Sequence, residues 1–144
     1  MGASAGKQQG RLAGKTALVT GGSRGIGRGI AERLGRDGAL VAVHYGSNEE
    51  AAKETVAAIE ASGGAAFAIG AELGAAGDAQ ALWSAFDAHA DGVDILVNNA
   101  GVSTASSFAD TDEAEYDRLF AVNMKAPYFI TQLGAERLRD GGRI

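Results

Sequence analysis

The 144-residue sequence contains no cysteine, a single proline and no apolar run near the length of a membrane span. Without cysteine, disulfide bonds and thiolate metal sites are excluded, and a reducing compartment is allowed. A spanning helix needs about 20 predominantly apolar residues, so no membrane crossing is predicted. Basic residues are outnumbered, with a net charge of −5, whereas nucleic acids and anionic membranes favour basic surfaces. We therefore expect a cytoplasmic protein with neither nucleic acid nor membrane as a partner.

The chain divides into a short polar start and one domain. Residues 1–11 consist largely of Gly, Ser, Ala, Gln and Lys without an apolar stretch, which predicts a disordered leader rather than a secretory signal. Residues 12–144 alternate apolar runs with helical periodicity. Strands are predicted at 17–19, 40–43, 65–69 and 94–97, and helices at 25–37, 48–62, 76–90 and 112–139. Glycines predict three helix ends, at Gly38, at Gly63-Gly64 and at Gly141-Gly142.

Continuous apolar strands separated by amphipathic helices indicate the α/β class. Such strands form a parallel sheet that is covered on both faces, which gives three αβα layers. Right-handed crossovers then make the sheet doubly wound. About four strands are visible, and a fifth can only begin at Arg143-Ile144, so the fold is expected to be truncated at its C-terminal end. Ile95 to Val97 are then expected near an open sheet edge.

The stretch from Thr16 to Gly27 carries the clearest functional signal. An apolar strand runs into Gly21, Gly25 and Gly27, and a helical pattern follows. Free backbone N–H groups and the positive end of the helix dipole can bind a pyrophosphate there. Glycine lets the phosphate and the sheet approach closely. The glycine spacing alone is weak evidence in a chain with 22 glycines. A strand before it and a helix after it favour a dinucleotide site over a structural turn.

The end of the second predicted strand indicates which dinucleotide binds. In such folds an acidic residue about 20 positions after the glycine turn binds the adenosine ribose and selects NAD. Here that position is Tyr45, and the first acid, Glu49, already belongs to the next helix. A 2′-phosphate can instead be bound by Ser47 and Asn48, with Arg24 supplying positive charge. This pattern predicts NADP(H), although Arg24 can also be read as a solvated loop cation.

Three motifs together resemble the short-chain dehydrogenases/reductases. They are Thr20-Gly21-x-x-x-Gly25-Ile26-Gly27, Asn98-Asn99-Ala100-Gly101, and Asn123 within Val122-Asn123-Met124-Lys125. The resemblance runs from about Leu12 to Ile144 and is closest to the NADP-dependent 3-oxoacyl-carrier-protein reductase-like group. It implies a Rossmann-type fold and hydride transfer between a nicotinamide and a carbonyl or alcohol of a small-molecule substrate. It also implies a homo-oligomer, a tetramer or a dimer, for the full-length form.

Carried over residue by residue, the resemblance implies a cofactor site and one catalytic residue. The implied cofactor-binding residues are Gly21, Ser23, Arg24, Gly25, Ile26, Gly27, Glu72, Leu73, Asn98, Ala100 and Gly101, and the end of the second strand adds Tyr45, Ser47 and Asn48. Asn123 matches the member of the catalytic tetrad whose backbone carbonyl holds a proton-relay water. Pro127 independently favours this role, because proline cannot donate to the carbonyl four residues back and bends the helix. A kink that serves only packing is the alternative.

The catalytic set implied by the family is incomplete in these residues. The tetrad also needs a serine and a Tyr-x-x-x-Lys pair. None of the tyrosines has the lysine: Tyr45, Tyr116 and Tyr128 are followed four residues later by Glu49, Phe120 and Gln132. The 144-residue chain is therefore expected not to turn over alone. Two functions stay open, the cofactor-binding part of a reductase or a non-catalytic nucleotide-binding or assembly protein. His44 and His89 lack partners at metal-ligand spacing and are predicted to be structural, so no metal is expected.

Overall fold

The computed structural model describes residues 10–144. Residues 1–9 of the predicted leader lie outside the described residues. The last two residues of that leader, Gly10 and Arg11, precede the first strand in an ordered turn, where the N–H of Ala13 donates to the carbonyl of Gly10 at 2.9 Å. The next residue, Leu12, donates its N–H to the carbonyl of Asp37 at 2.8 Å and so fixes this turn against the end of the first helix.

Strands and helices alternate along the described residues. The strands are β1 (Thr16–Val19), β2 (Leu40–Tyr45), β3 (Ala65–Gly70), β4 (Val93–Val97) and β5 (Leu138–Arg143). The helices are α1 (Gly25–Arg36), α2 (Glu49–Ala61), α3 (Asp78–Asp87), α4 (Glu113–Phe120) and α5 (Ala126–Ala135), and a π-helical segment, Ala121–Lys125, joins the last two. The first four strands and first three helices match the prediction, with ends shifted by a few residues. Within residues 10–144, no helix has both the length and the apolar character needed to cross a membrane.

All strand pairs are parallel, and the sheet order is β3-β2-β1-β4-β5. The chain therefore builds one half of the sheet outward from β1 and then returns to the other side of β1 for β4. Side chains alternate between the two faces of the sheet. Ala17 and Val19 pack in a core with residues of α1 and α2, whereas Leu18 packs in a second core with residues of α3 and α5. This arrangement confirms the predicted doubly wound, three-layer αβα fold.

The C-terminal part of the prediction is wrong. Helix α5 ends at Ala135 instead of Arg139, and β5 begins at Leu138 instead of Arg143. Helical spacing conceals this change, because Ile130 and Leu138 both pack in the core beside α3, eight residues apart. Gly141, predicted with its neighbour to end the helix, lies inside β5 with a φ of +79°.

A fifth strand also changes the sheet edge. Leu138 pairs with Val93 and Arg143 pairs with Ile95, with a bulge between the two pairs. The described sheet therefore has five strands rather than about four, and β4 is an inner strand rather than an edge strand.

A π-helical segment directly precedes the helix that contains Pro127. Residues Ala121–Lys125 follow the wider π pattern, in which the N–H of Ala126 donates to the carbonyl of Ala121, five residues back. Pro127 is the second residue of α5, which continues directly from the π segment, so its missing N–H removes one helical hydrogen bond there. Such π segments occur often at functional sites, and this one contains Asn123.

Candidate functional site

A cavity of about 780 Å³ lies at the carboxyl ends of the strands, where the chain crosses from one half of the sheet to the other. Doubly wound sheets bind their ligands at this switch point. Segments following β1, β2, β3 and β4 form its walls together with one side of α4. Of the residues predicted for the cofactor, these line the cavity: Gly21, Ser23, Arg24, Ile26, Gly27, Ser47, Asn48, Glu72, Leu73, Ala100 and Gly101.

Three predicted cofactor residues do not line this cavity. Gly25 belongs to the turn, with a φ of +56°, and a Cβ atom there would face open space. The side chain of Tyr45 lies over β3 instead, since a Cβ atom on Gly70 would come within 2.8 Å of its ring. Asn98 donates from Nδ2 to Oγ1 of Thr131 at 3.0 Å and so connects the end of β4 to α5.

The glycine turn leaves the start of α1 open to an anion. Gly21 has a φ of +61°, which favours glycine over any residue with a Cβ atom. Gly27 allows the close approach of helix to turn, because a Cβ atom there would lie 2.1 Å from the carbonyl oxygen of Gly21. Arg24 is the N-cap residue of α1, but it makes no side-chain capping bond, and the first turn of the helix has no acidic residue. The N–H groups of that turn thus have no carboxylate beside them, and an anion can accept from them.

Asn99 is a residue of this site that the sequence prediction did not include. Its Nδ2 donates to the carbonyls of Thr20 at 3.0 Å and Gly21 at 3.1 Å. In return, Oγ1 of Thr20 accepts from the backbone N–H groups of Asn99 and Ala100, each at 3.0 Å. The glycine turn and the segment after β4 are therefore held together by side chains. Only the position of β4 beside β1 reveals this role.

Seven further lining residues were not predicted: His44, Gly46, Gly74, Ala75, Val102, Arg118 and Val122. Gly46, Gly74 and Ala75 are sequence neighbours of predicted residues, so a wider motif window includes them. Arg118 and Val122 come from α4 and the π segment, and only the tertiary packing brings them to the cavity.

The ring of His44 is buried and hydrogen-bonded on both sides. Its Nδ1 accepts from the N–H of Gly21 at 3.0 Å, and its Nε2 lies 2.8 Å from the carbonyl oxygen of Ala71. Burial lowers the pKa of His44, and the hydrogen bond to Ala71 raises it by less. The ring is therefore neutral at pH 7. No three His, Asp or Glu side chains of residues 10–144 gather in a way that could hold a metal ion.

The end of β2 presents polar groups rather than a carboxylate to the cavity. Asn48 accepts from the N–H of Ala51 at 3.0 Å through Oδ1 and so caps α2, which leaves its Nδ2 group as a donor. Glu49, the first acid after β2, lies in α2, where its carboxylate is 3.3 Å from Nζ of Lys53. Glu72, which follows β3, carries the one carboxylate among the described residues that line the cavity.

Asn123 lies beside the cavity, and both ends of its side-chain amide bond the loop after β4. Its Oδ1 accepts from the N–H of Val102 at 2.8 Å, while its Nδ2 donates to the carbonyl of Val102 at 2.7 Å. A Cβ atom on Gly101 would be 3.2 Å from Oδ1 of Asn123. The side chain therefore fixes the loop after β4 to the π segment. Its backbone carbonyl cannot accept from Pro127, which has no N–H.

A parallel sheet with this strand order, a glycine turn after β1 and a cavity at the switch point defines a doubly wound α/β protein of the Rossmann type. A family model described as short chain dehydrogenase matches residues 15–144. The chain belongs to this family, and the predicted family resemblance is confirmed.

Individual relatives agree with this assignment. The chain is 41% identical over 133 residues to the short chain dehydrogenase/reductase AacuN of Aspergillus aculeatus, covering 92% of this chain and 50% of the relative. One similar solved structure is that of LugOII, a promiscuous reductase that catalyses keto-reduction at C1 during lugdunomycin biosynthesis. It is 51% identical to this chain with a TM-score of 0.90, and the match covers 94% of this chain and 62% of that chain. The angucycline C-6 ketoreductase LanV, solved with bound NADP, is 50% identical with a TM-score of 0.91. The match covers 94% of this chain and 55% of that chain.

This chain spans about half the length of the curated relatives it matches. The more specific resemblance to the 3-oxoacyl-carrier-protein reductase-like group is not confirmed by these relatives.

Proposed function

We propose that this chain is the NADP(H)-binding part of a reductase that transfers hydride between a nicotinamide and a carbonyl or alcohol substrate. One observation carries the choice of NADP(H). Arg24 stands at the open start of α1, Ser47 and Asn48 lie in the same cavity, and no carboxylate follows β2 before Glu49. A cation and hydrogen-bond donors are present there for a 2′-phosphate. No carboxylate is placed to accept hydrogen bonds from free ribose hydroxyls. The bound NADP of the LanV structure, a 50% identical protein, supports the same choice.

The residues of this cavity fit the parts of such a cofactor. The N–H groups at the start of α1 suit a pyrophosphate, and Gly27 leaves the space that its approach requires. Glu72 and Leu73 line the side on which an adenine would lie, and Ala100 and Gly101 line the side of the riboses. When bound, the cofactor would supply or accept the hydride at its nicotinamide ring.

We assign Asn123 to the catalytic machinery through its backbone carbonyl. Its side chain bonds both backbone groups of Val102 and so positions the loop after β4. The missing N–H of Pro127 supports a carbonyl that is left to accept from water. Because these 144 residues contain no Tyr-x-x-x-Lys pair, we expect this chain alone to bind cofactor without turnover.

We also propose that the full-length protein is a cytoplasmic homo-oligomer. Large apolar side chains are exposed along α4, the π segment and α5, namely Tyr116, Phe120, Met124 and Tyr128. The rings of Tyr116 and Phe120 stack with their centroids 4.5 Å apart on this surface. A contiguous exposed apolar face is typical of an interface. Sedimentation of the full-length protein tests this proposal, and a monomer at micromolar concentration would contradict it.

A titration with NADPH and NADH tests the cofactor proposal directly. We expect NADPH to bind this chain more tightly than NADH. Arg24→Ala removes the cation near the 2′-phosphate and weakens NADPH binding by roughly tenfold or more, because charge-assisted hydrogen bonds contribute about 1.5–3 kcal/mol. NADH binding stays unchanged. Arg36→Ala is the matched control, since Arg36 is an exposed arginine at the other end of the same helix. Equal losses for both nucleotides would show that Arg24 does not read the 2′-phosphate.

A further inference from the structure

His44 bridges two walls of the cavity from its place near the end of β2. Its ring accepts from the N–H of Gly21 on one side and lies against the carbonyl of Ala71 on the other. His44 is 2% exposed, so the ring makes these contacts in a buried position. Because β2 lies between β1 and β3, the ring connects the glycine turn after β1 with the segment after β3 that carries Glu72 and Leu73.

The two partners fix both the tautomer and the charge of the ring. A backbone N–H can only donate and a carbonyl can only accept. Nδ1 must therefore carry the lone pair that faces Gly21, and Nε2 must carry the proton that faces Ala71. A protonated ring would direct a second N–H at the N–H of Gly21. The bridge thus exists only in the neutral form of His44.

Backbone hydrogen bonds of β2 complete the same connection. The carbonyl of His44 accepts from the N–H of Gly22 at 2.9 Å, and the carbonyl of Tyr45 accepts from the N–H of Ala71 at 3.1 Å. These bonds place the turn and the segment after β3 beside β2. They leave the N–H of Gly21 to the ring alone, so removing the ring leaves that N–H without an acceptor within the turn.

The ring is the titratable group of this bridge. The neighbouring strands β1 and β3 carry no titratable side chain. Three charged side chains share the cavity with His44: Arg24 from the glycine turn, Glu72 after β3 and Arg118 from α4. Among the described residues, none of the three makes a hydrogen bond or an ion pair with the ring.

We propose that His44 is a positioning residue of the cofactor site. By joining Gly21 to Ala71 it holds the phosphate-binding turn and the adenine-side segment at the separation that NADP(H) requires. Protonation of the ring breaks this bridge and lowers the affinity for the cofactor. This inference rests on the proposed function, because it assigns His44 a role in the same site.

Binding measured against pH tests the proposal with two variants. The 144-residue chain is titrated with NADPH from about pH 4 to pH 8, because histidine ordinarily titrates between about pH 5 and 8 and the pKa of His44 is lowered. His44→Asn keeps an acceptor for the N–H of Gly21 and cannot be protonated, whereas His44→Phe keeps a ring and loses both contacts. Below the folded pKa of His44, the affinity of the wild-type chain is expected to fall by up to about tenfold per pH unit relative to His44→Asn. The phosphate of NADPH titrates equally in both, so their difference isolates the ring.

At pH 7 we expect His44→Phe to bind NADPH about tenfold or more weakly, with His44→Asn closer to wild type. Nitrogen NMR of the cofactor-free chain provides an independent readout, with Nδ1 unprotonated and Nε2 protonated, and the amide of Gly21 exchanging faster in His44→Phe. Parallel pH profiles for the wild type and His44→Asn, or a proton on Nδ1, would overturn the proposal. If no variant binds NADPH, the proposed function is wrong, and the NMR tautomer and the Gly21 exchange alone decide whether His44 forms the bridge.

Discussion

Replacing Gly27 by alanine tests how closely α1 packs on the glycine turn. An added Cβ atom would lie 2.1 Å from the carbonyl oxygen of Gly21 and 2.4 Å from Nδ2 of Asn99. Real Cβ atoms essentially never come within 3.0 Å of another heavy atom, so the turn or the helix must move by about 1 Å. Both atoms that meet the new methyl group are already bonded to each other, at 3.1 Å. The substitution therefore strains the contact that fixes the turn.

The expected cost follows from these contacts. Overpacking a tight site costs about 1–3 kcal/mol, and each of the two hydrogen bonds that Asn99 donates to the turn contributes about 1 kcal/mol. Alanine in place of glycine inside a helix by itself stabilises the fold by about 0.5–1 kcal/mol, which offsets part of this cost. Gly27→Ala should therefore lower the free energy of unfolding by roughly 2–4 kcal/mol.

Gly29→Ala is the matched control, because it makes the same chemical change two residues later in α1. A Cβ atom at Gly29 meets nothing within 4 Å, so this variant should gain about 0.5–1 kcal/mol. Urea denaturation gives both free energies, and an NADPH titration shows whether the turn still binds. A Gly27→Ala chain that is as stable as Gly29→Ala, and that binds NADPH as tightly, would refute the close packing of helix and turn.

Two further substitutions test the ends and the core of the fold. Burial raises the pKa of Asp94, but the N–H of Thr16 and the guanidinium of Arg139, each 2.8 Å from Oδ2, lower it by more. Asp94→Asn should cost about 2–3 kcal/mol at pH 7 by urea denaturation, and this difference should shrink as the pH falls through the lowered pKa, since the wild-type carboxylate then becomes protonated too. Trp83→Phe removes the hydrogen bond from Nε1 to the carbonyl of Ile130, 2.9 Å away, and should cost about 1–3 kcal/mol in thermal or urea denaturation. A cost below about 0.5 kcal/mol for either would show that its hydrogen bond is not part of the stable core.

Local signals in the sequence were sufficient for most of the fold. Asn48 caps α2 with the N–H of Ala51, as its residue type and position predict. Gly38 and Gly63 follow helices with φ values of +104° and +89°, the left-handed conformation that was expected of helix-ending glycines. These features depend on a few neighbouring residues, so they can be predicted without knowing the sheet.

The end of α5 shows where local signals fail. Arg137 pairs with Asp87 at 2.7 Å, and Arg139 pairs with Asp94 at 2.8 Å, and both acids are more than forty positions earlier in the chain. These ion pairs hold the residues after α5 beside α3 and β4, although the apolar spacing of the helix continues to Leu138. The change from helix to strand is therefore decided by tertiary contacts that no window of sequence contains.

The glycine turn itself shows why a motif predicts a site without defining it. Its glycines permit the conformation, but side chains from two other strands hold it, Asn99 after β4 and His44 in β2. Both strands flank β1 in the sheet, so the anchors meet at Gly21 only because the strand order is β2-β1-β4. The amide of Asn99 does not titrate, whereas His44 loses its contact when it is protonated. The same glycine spacing on another strand order would lack both anchors, and the turn would have to order itself on the ligand at a cost in affinity.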